Sequence, residues 1–78
     1  MSRLLLLGPA REAAGVRRAE IDAATVDEVI ALATLRFGKP FAEIVAISRV
    51  WVNGVEASPG QGVGPSDEIA VVPPVSGG

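Results

Sequence analysis

The sequence feature that most limits the fold is a single amphipathic helix in the middle of the chain. Thr25 and Glu28 have the spacing of a capping box, in which the threonine hydroxyl accepts a hydrogen bond from the Glu28 amide. Five apolar residues then fall within about 100° of one helical face: Val26, Val29, Ile30, Ala33 and Phe37. Gly38 suits the position that follows a helix, and Pro40 prevents its continuation. We therefore predict a helix of about twelve residues with one buried face.

Short apolar segments on both sides of this helix have the alternation and the boundaries of β-strands. They are residues 3–7 and 16–21 before the helix, and residues 48–52, 55–56 and 68–72 after it. Asn53-Gly54 is the pair that type I′ hairpin turns favour, so the two strands beside it are expected to pair antiparallel. Residues 11–15 and 40–46 each predict one further helical turn.

This order of elements predicts an α+β fold, in which a small mixed sheet has one main helix packed on one face. That arrangement is the β-grasp, or ubiquitin-like, layout. We expect residues 1–72 to form the β-grasp domain, and residues 73–78 to form a flexible C-terminal tail that ends in Gly77-Gly78.

The other face of the sheet is expected to carry apolar residues that no element covers. If Arg3 and Arg49 face water, Leu5, Leu7 and Trp51 share their face, because alternate strand residues point the same way. Val72 joins them by the same rule. The core face then receives Leu4, Leu6, Val50, Val52, Ile69 and Val71. An uncovered apolar face predicts a partner surface; the alternative is that bulges or curvature turn these residues inward as ordinary core.

Composition excludes several classes of function for these 78 residues, which are enough for one domain. The chain has no Cys, His or Tyr, which excludes disulfides, Cys/His zinc sites, thiol nucleophiles and His-based triads. A net charge of −2 and a pI near 4.9 argue against a nucleic-acid partner. No apolar run is long enough for a membrane span, and residues 4–7 are too short for a signal peptide. We expect a cytoplasmic protein that binds no metal and is not an enzyme on its own.

The last six residues are where reactive chemistry is expected. Pro73-Pro74 favours a stiff, extended exit from the final strand, and six extended residues reach about 20 Å. Glycines pass through slots too narrow for other side chains, so Gly77 and Gly78 can deliver a terminal carboxylate to an enclosed site. Adenylation would activate that carboxylate, and an external sulfur nucleophile would then leave a thiocarboxylate. The alternative is that two terminal glycines arose by chance or by truncation.

Residues 67–78, Asp-Glu-Ile-Ala-Val-Val-Pro-Pro-Val-Ser-Gly-Gly, resemble the C-terminal signature of the small, sulfur-carrying subunit of molybdopterin synthase (MoaD-like). Residues 11–15 also resemble the Arg-Glu-x-x-Gly segment of that family, and Val52-Asn53 fits its hairpin region. The resemblance implies a β-grasp fold, an adenylating enzyme (MoeB-like) that uses ATP and Mg²⁺, a sulfurtransferase, and a large catalytic subunit (MoaE-like). The small subunit itself binds no cofactor.

The same resemblance assigns roles to individual residues. Gly78 would be adenylated and then thiocarboxylated, with Gly77 beside it, and would give its sulfur to cyclic pyranopterin monophosphate. The implied partner-binding residues are Leu7, Arg11, Val72, Pro73, Pro74, Val75 and Ser76. Three alternatives stay open: a ThiS-like carrier for thiazole, cysteine or tRNA thiolation, a ubiquitin-like protein modifier, and a binding module whose tail is irrelevant.

Overall fold

The computed structural model of the chain describes residues 2–58 and 60–74. Along this part of the chain the elements are β1 (Ser2–Leu6), α1 (Gly8–Ala14), β2 (Arg18–Ile21), α2 (Val26–Phe37), α3 (Lys39–Ala46), β3 (Arg49–Val52), β4 (Val55–Glu56) and β5 (Glu68–Val72). The strands form a mixed sheet in the order β2-β1-β5-β3-β4. The predicted β-grasp fold is therefore confirmed.

The two central strands, β1 and β5, are the parallel pair, and Leu6 lies opposite Val71. β2 pairs with β1, and β3 with β5, in antiparallel register. Consequently β1 and β5 finish at the same end of the sheet where β2 and β3 begin. We call this the tail end, because the C-terminal residues leave the sheet there.

The central helix α2 is bounded by the predicted local signals. The Thr25 hydroxyl accepts a hydrogen bond from the Glu28 amide at 3.2 Å. The Glu28 carboxylate in turn accepts from the amide of Ala24 at 3.0 Å, one residue before the cap. Gly38 ends the helix with φ of 90°, and its N–H donates to the carbonyl of Thr34. The predicted capping box and C-terminal glycine are therefore confirmed.

The two other helices are longer than the single turns that the sequence predicted. α1 has seven residues and starts at Gly8, with Pro9 in its first turn, where a missing N–H costs nothing. It ends at Gly15, whose left-handed φ of 80° lets its N–H donate to the Arg11 carbonyl. α3 has eight residues and likewise carries a proline, Pro40, in its first turn. Each proline therefore favours the start of the helix that contains it, so the helical segments begin earlier than the sequence predicted.

Buried residues among those described form one core between the sheet and the helices. Five of the six strand residues predicted to face the helix are buried, namely Leu4, Leu6, Val52, Ile69 and Val71, whereas Val50 is half-buried against the same core. The helices contribute Ala10, Val26, Val29, Ala33 and Phe41. The ring of Phe41 is fully buried and contacts Phe37 edge to face, with ring centroids 5.2 Å apart.

A side-chain network closes the end of the sheet opposite the tail. Asn53 and Gly54 both have positive φ, 51° and 84°, as the predicted type I′ turn requires. The Asn53 amide donates to Asp67 at 2.9 Å and accepts from the backbone N–H of Glu68 at 3.0 Å. The backbone N–H of Gly64 donates to the Asp67 carboxylate and, together with Asn53, lowers the pKa of that carboxyl below its ordinary value. The β3–β4 hairpin is thus tied to the start of β5.

Candidate functional site

One face of the sheet lies opposite the helical layer, and we call it the open face. Pairing registers place one row of residues across all five strands: Arg18, Leu5, Ala70, Trp51 and Glu56. Leu5, Ala70 and Trp51 are half-buried, while the residues before and after Leu5 are buried in the core. The strands therefore alternate as predicted, and the helices place their buried residues in the core on the opposite side. The alternative, that bulges turn this row inward, is wrong.

Trp51 is the largest side chain of the open face. Its indole Nε1 is buried and has no hydrogen-bond partner among the described residues. Glu56, directly opposite on β4, instead accepts from the Arg49 guanidinium at 2.7 Å in an exposed ion pair. An unpaired buried donor costs about 1–3 kcal/mol, so this indole N–H opposes folding and does not stabilise the face.

Leu7 and Val72 lie together at the tail end of the open face. Leu7 follows β1 in extended conformation, φ −123° and ψ 148°, and serves as the N-cap residue of α1. Its carbonyl accepts from the Ala10 amide at 3.1 Å, which fixes the backbone while the side chain stays 40% exposed. Extending the β1–β5 register by one residue places Leu7 beside half-buried Val72. The two predicted apolar docking residues are therefore neighbours.

The tail leaves the sheet directly after Val72. Pro73 is buried and Pro74 is exposed. Pro73 continues the inward alternation of Ile69 and Val71, so packing extends one residue beyond β5. The remaining predicted tail residues, Val75, Ser76, Gly77 and Gly78, lie outside the described residues.

Arg11 lies on α1, also at the tail end, and its side chain is exposed. It lines a surface depression of about 720 Å³ together with Gly8, Glu12, Gly15, Val16 and Arg17. The Arg17 carbonyl accepts from the Leu6 amide at 2.8 Å, which holds this corner against the end of β1. Arg17 was not among the predicted site residues; the Arg17-Arg18 pair that follows Gly15 is the sequence signal that could have indicated it.

Two kinds of site are absent from the described part of the chain. Between residues 2 and 74, Pro59 excepted, no helix is long and apolar enough to cross a membrane. No cluster of three His, Cys, Asp or Glu side chains within that same part of the chain is arranged to hold a metal ion.

Comparisons with known proteins agree with this geometry. The sequence model of the ThiS family matches residues 4–78. SAMP1 from Haloferax volcanii is 28% identical with a TM-score of 0.80, and the match covers 99% of this chain and 98% of that one. A putative molybdopterin converting factor subunit 1 from Pyrococcus furiosus is 27% identical with a TM-score of 0.83, covering 95% of this chain and 97% of that one.

A third solved structure supports the fold alone. It is a chain from the complex of subunits 1 and 2 of molybdopterin-converting factor from Helicobacter pylori, with 22% identity and a TM-score of 0.74. The match covers 99% of this chain and 97% of that one. No curated protein sequence matches this chain significantly.

Proposed function

Because this chain belongs to the ThiS family, we propose that it is the sulfur-carrying small subunit of a molybdopterin synthase. In this proposal the Gly78 carboxylate attacks the α-phosphate of ATP and expels pyrophosphate, which leaves an acyl adenylate. A sulfide-level nucleophile (HS⁻) then displaces AMP and, on loss of its proton, leaves a thiocarboxylate on Gly78. Inside the large subunit the thiocarboxylate sulfur displaces an oxygen substituent of cyclic pyranopterin monophosphate, and water hydrolyses the resulting thioester, which leaves the sulfur on the pterin and regenerates the Gly78 carboxylate.

The observation that carries the proposal is the origin of the tail. Residues 73–78 start from β5, a central strand, at the end of the sheet where Leu7 and Val72 lie on the open face. Buried Pro73 holds the start of the tail, and the five residues after it span about 17 Å when extended. A partner bound to the open face is then within reach of the terminal glycine.

The chain supplies the carboxylate in this scheme and its partners supply the remaining chemistry. Adenylation needs Mg²⁺ and cationic clamps around a developing pentavalent phosphate. The sequence has one lysine, Lys39, and its glycine cluster at residues 60–64 lacks the Lys-Ser/Thr of a phosphate loop. The sulfur must come from outside, because the sequence has no Cys. We therefore propose that an adenylating enzyme binds ATP and Mg²⁺, and that a sulfurtransferase supplies the sulfur. We also propose that the chain acts in the cytoplasm.

One relative supports the choice of acceptor. The Pyrococcus furiosus protein is named as a putative subunit 1 of molybdopterin converting factor. The Pro-Pro-Val-Ser-Gly-Gly ending favours the same role. Carriers of the same chemistry that serve thiazole, cysteine or tRNA thiolation are the nearest alternative, and the acceptor enzyme distinguishes them.

A ubiquitin-like modifier is the second candidate function. It is favoured by the match to SAMP1 of Haloferax volcanii, a small archaeal modifier protein. A modifier would pass its activated tail to lysine amines of target proteins and form isopeptide bonds. A carrier would accumulate the free thiocarboxylate instead.

Intact mass spectrometry of the chain isolated from its native cells tests the proposal. A carrier with Gly78 at its C-terminus should show a species heavier by the mass difference between sulfur and oxygen. Thiocarboxylated chain should then yield molybdopterin when mixed with large subunit and cyclic pyranopterin monophosphate. Isopeptide adducts without a thiocarboxylate form would favour the modifier, and sulfur transfer to thiazole synthase alone would favour the other carriers.

A further inference from the structure

Charge is distributed unevenly between the two ends of the sheet. The tail end carries Arg11, Arg17, Arg18 and Arg49 against Glu12 and Glu56, and Asp27 lines a depression beside the last pair. The opposite end carries Glu20, Asp22, Asp67 and Glu68 against Arg3 and Arg36, whose guanidinium donates to the Glu20 carbonyl at 3.4 Å. Although the whole chain has a net charge of −2, it presents a positive end from which the tail leaves.

This separation persists at physiological salt. A five-residue strand such as β5 spans about 17 Å, whereas the Debye length at 0.15 M salt is about 8 Å. A partner approaching the tail end therefore meets the local positive charge, with the acidic opposite end largely screened.

The positive charge concentrates in one corner, where Arg11, Val16 and Arg17 line the depression between α1 and β2 together with a single carboxylate, Glu12. All three side chains are exposed, and Val16 retains 41% of its surface. In the described part of the chain, Arg49–Glu56 is the ion pair at the tail end, and neither Arg11 nor Arg17 forms one. Two unpaired guanidinium groups beside an apolar side chain suit a segment that carries carboxylates and a small apolar residue.

We propose that this basic corner binds an acidic segment of the adenylating enzyme that activates the tail. The inference rests on the proposed function and extends it to Val16 and Arg17, to which no role has been assigned. An adenylating enzyme must capture free chain in each catalytic cycle, and complementary charge raises the rate of such encounters. Gly8 lines the depression and directly follows Leu7 in the chain. One partner surface can therefore contact both the basic corner and Leu7.

The experiment measures ATP–pyrophosphate exchange by the adenylating enzyme at increasing concentrations of the chain. Arg17→Glu should raise the KM for the chain about tenfold at low salt and leave kcat within about twofold, because the corner acts in encounter and not in chemistry. At about 0.5 M salt the difference should shrink below about threefold. Arg17→Gln, which removes the charge without reversing it, should give an intermediate KM.

Lys39→Glu is the matched control, since Lys39 is also exposed and the charge change is identical. Equal KM values for Arg17→Glu and Lys39→Glu, both with unchanged thermal midpoints, would overturn the inference alone. A tenfold loss of affinity for the large subunit with normal pyrophosphate exchange would also overturn it. Failure of the unaltered chain to support exchange would instead refute the proposed function and, with it, this inference.

Discussion

Changing Leu7 to glutamate should separate partner binding from folding. Docking on the open face would bury the 40% of the Leu7 surface that the free chain exposes. Complete burial of a leucine side chain contributes about 1.5–3 kcal/mol, so this fraction contributes about 1 kcal/mol. A carboxylate placed there must also lose water without a partner, which costs at least about 2 kcal/mol more. Leu7→Glu should therefore weaken large-subunit binding by about 3 kcal/mol, or more than 100-fold in Kd.

Folding should change little, because Leu7 is already part exposed and its role as N-cap residue of α1 uses only its backbone carbonyl. We expect the free energy of unfolding to fall by less than about 1 kcal/mol, as for surface substitutions. Urea titration of the free chain measures this change, and calorimetric titration with purified large subunit measures Kd.

Leu35→Glu is the matched control for this experiment. Leu35 is 81% exposed on α2, in the helical layer, and should tolerate the same substitution without effect on either measurement. If Leu7→Glu and Leu35→Glu bind the large subunit equally well, the tail end of the open face is not the docking surface. If Leu7→Glu fails to fold, Leu7 belongs to the core and the alternation argument is wrong at this position.

Four further changes test other parts of the structure. Deleting Gly78 should abolish thiocarboxylate formation, read by intact mass, and leave the thermal midpoint unchanged; a large loss of stability would mean that the tail packs on the domain. Phe41→Ala should cost about 3–5 kcal/mol in urea titrations, because its ring is fully buried. Trp51→Phe should cost less than about 1 kcal/mol, because within residues 2–58 and 60–74 the indole N–H has no hydrogen-bond partner to lose. Since the folded-state pKa of Asp67 is lowered, its hydrogen bonds stabilise the fold above about pH 4 and are lost as the pH falls through the folded value. Asp67→Asn should make the free energy of unfolding depend less on pH below about pH 4. An unchanged pH dependence would contradict the stabilising role assigned to the Asp67 carboxylate.

Elements bounded by local chemistry were predictable from the sequence, and elements held by tertiary packing were predicted only in part. The limits of α2 follow from the Thr25 hydroxyl and Gly38, which act on their own neighbours. α1 was predicted too short, because Gly8-Pro9 is compatible both with the end of a strand and with the first turn of a helix. The burial of Ala10 in the core decides for the helix, and that packing is not local.

The same distinction applies to the candidate site. Side-chain alternation predicted that Leu7 and Val72 share a face, and the parallel pairing of β1 and β5 makes them neighbours. The grouping of Arg11 with Arg17 depends on how α1 returns the chain to β2, which no local pattern determines. In the described part of the chain Trp51 Nε1 has no hydrogen-bond partner, which depends on the neighbouring strands and could likewise not be predicted from the sequence.

The central position of β5, from which the tail leaves, would let a small domain present the proposed tail to a partner without opening. β5 is hydrogen-bonded on both sides, to β1 and β3, and its Ile69 and Val71 are fully buried. Segments of this kind open only with the whole domain, whereas short edge strands such as the two-residue β4 open at lower cost. The residues proposed to bind the partner lie where β1 and β5 finish, so in the proposed complex docking and tail insertion would act beside the part of the fold that opens last. A partner would then draw in the last residues while the docking surface kept its geometry, and little of the binding free energy would be lost in ordering the domain.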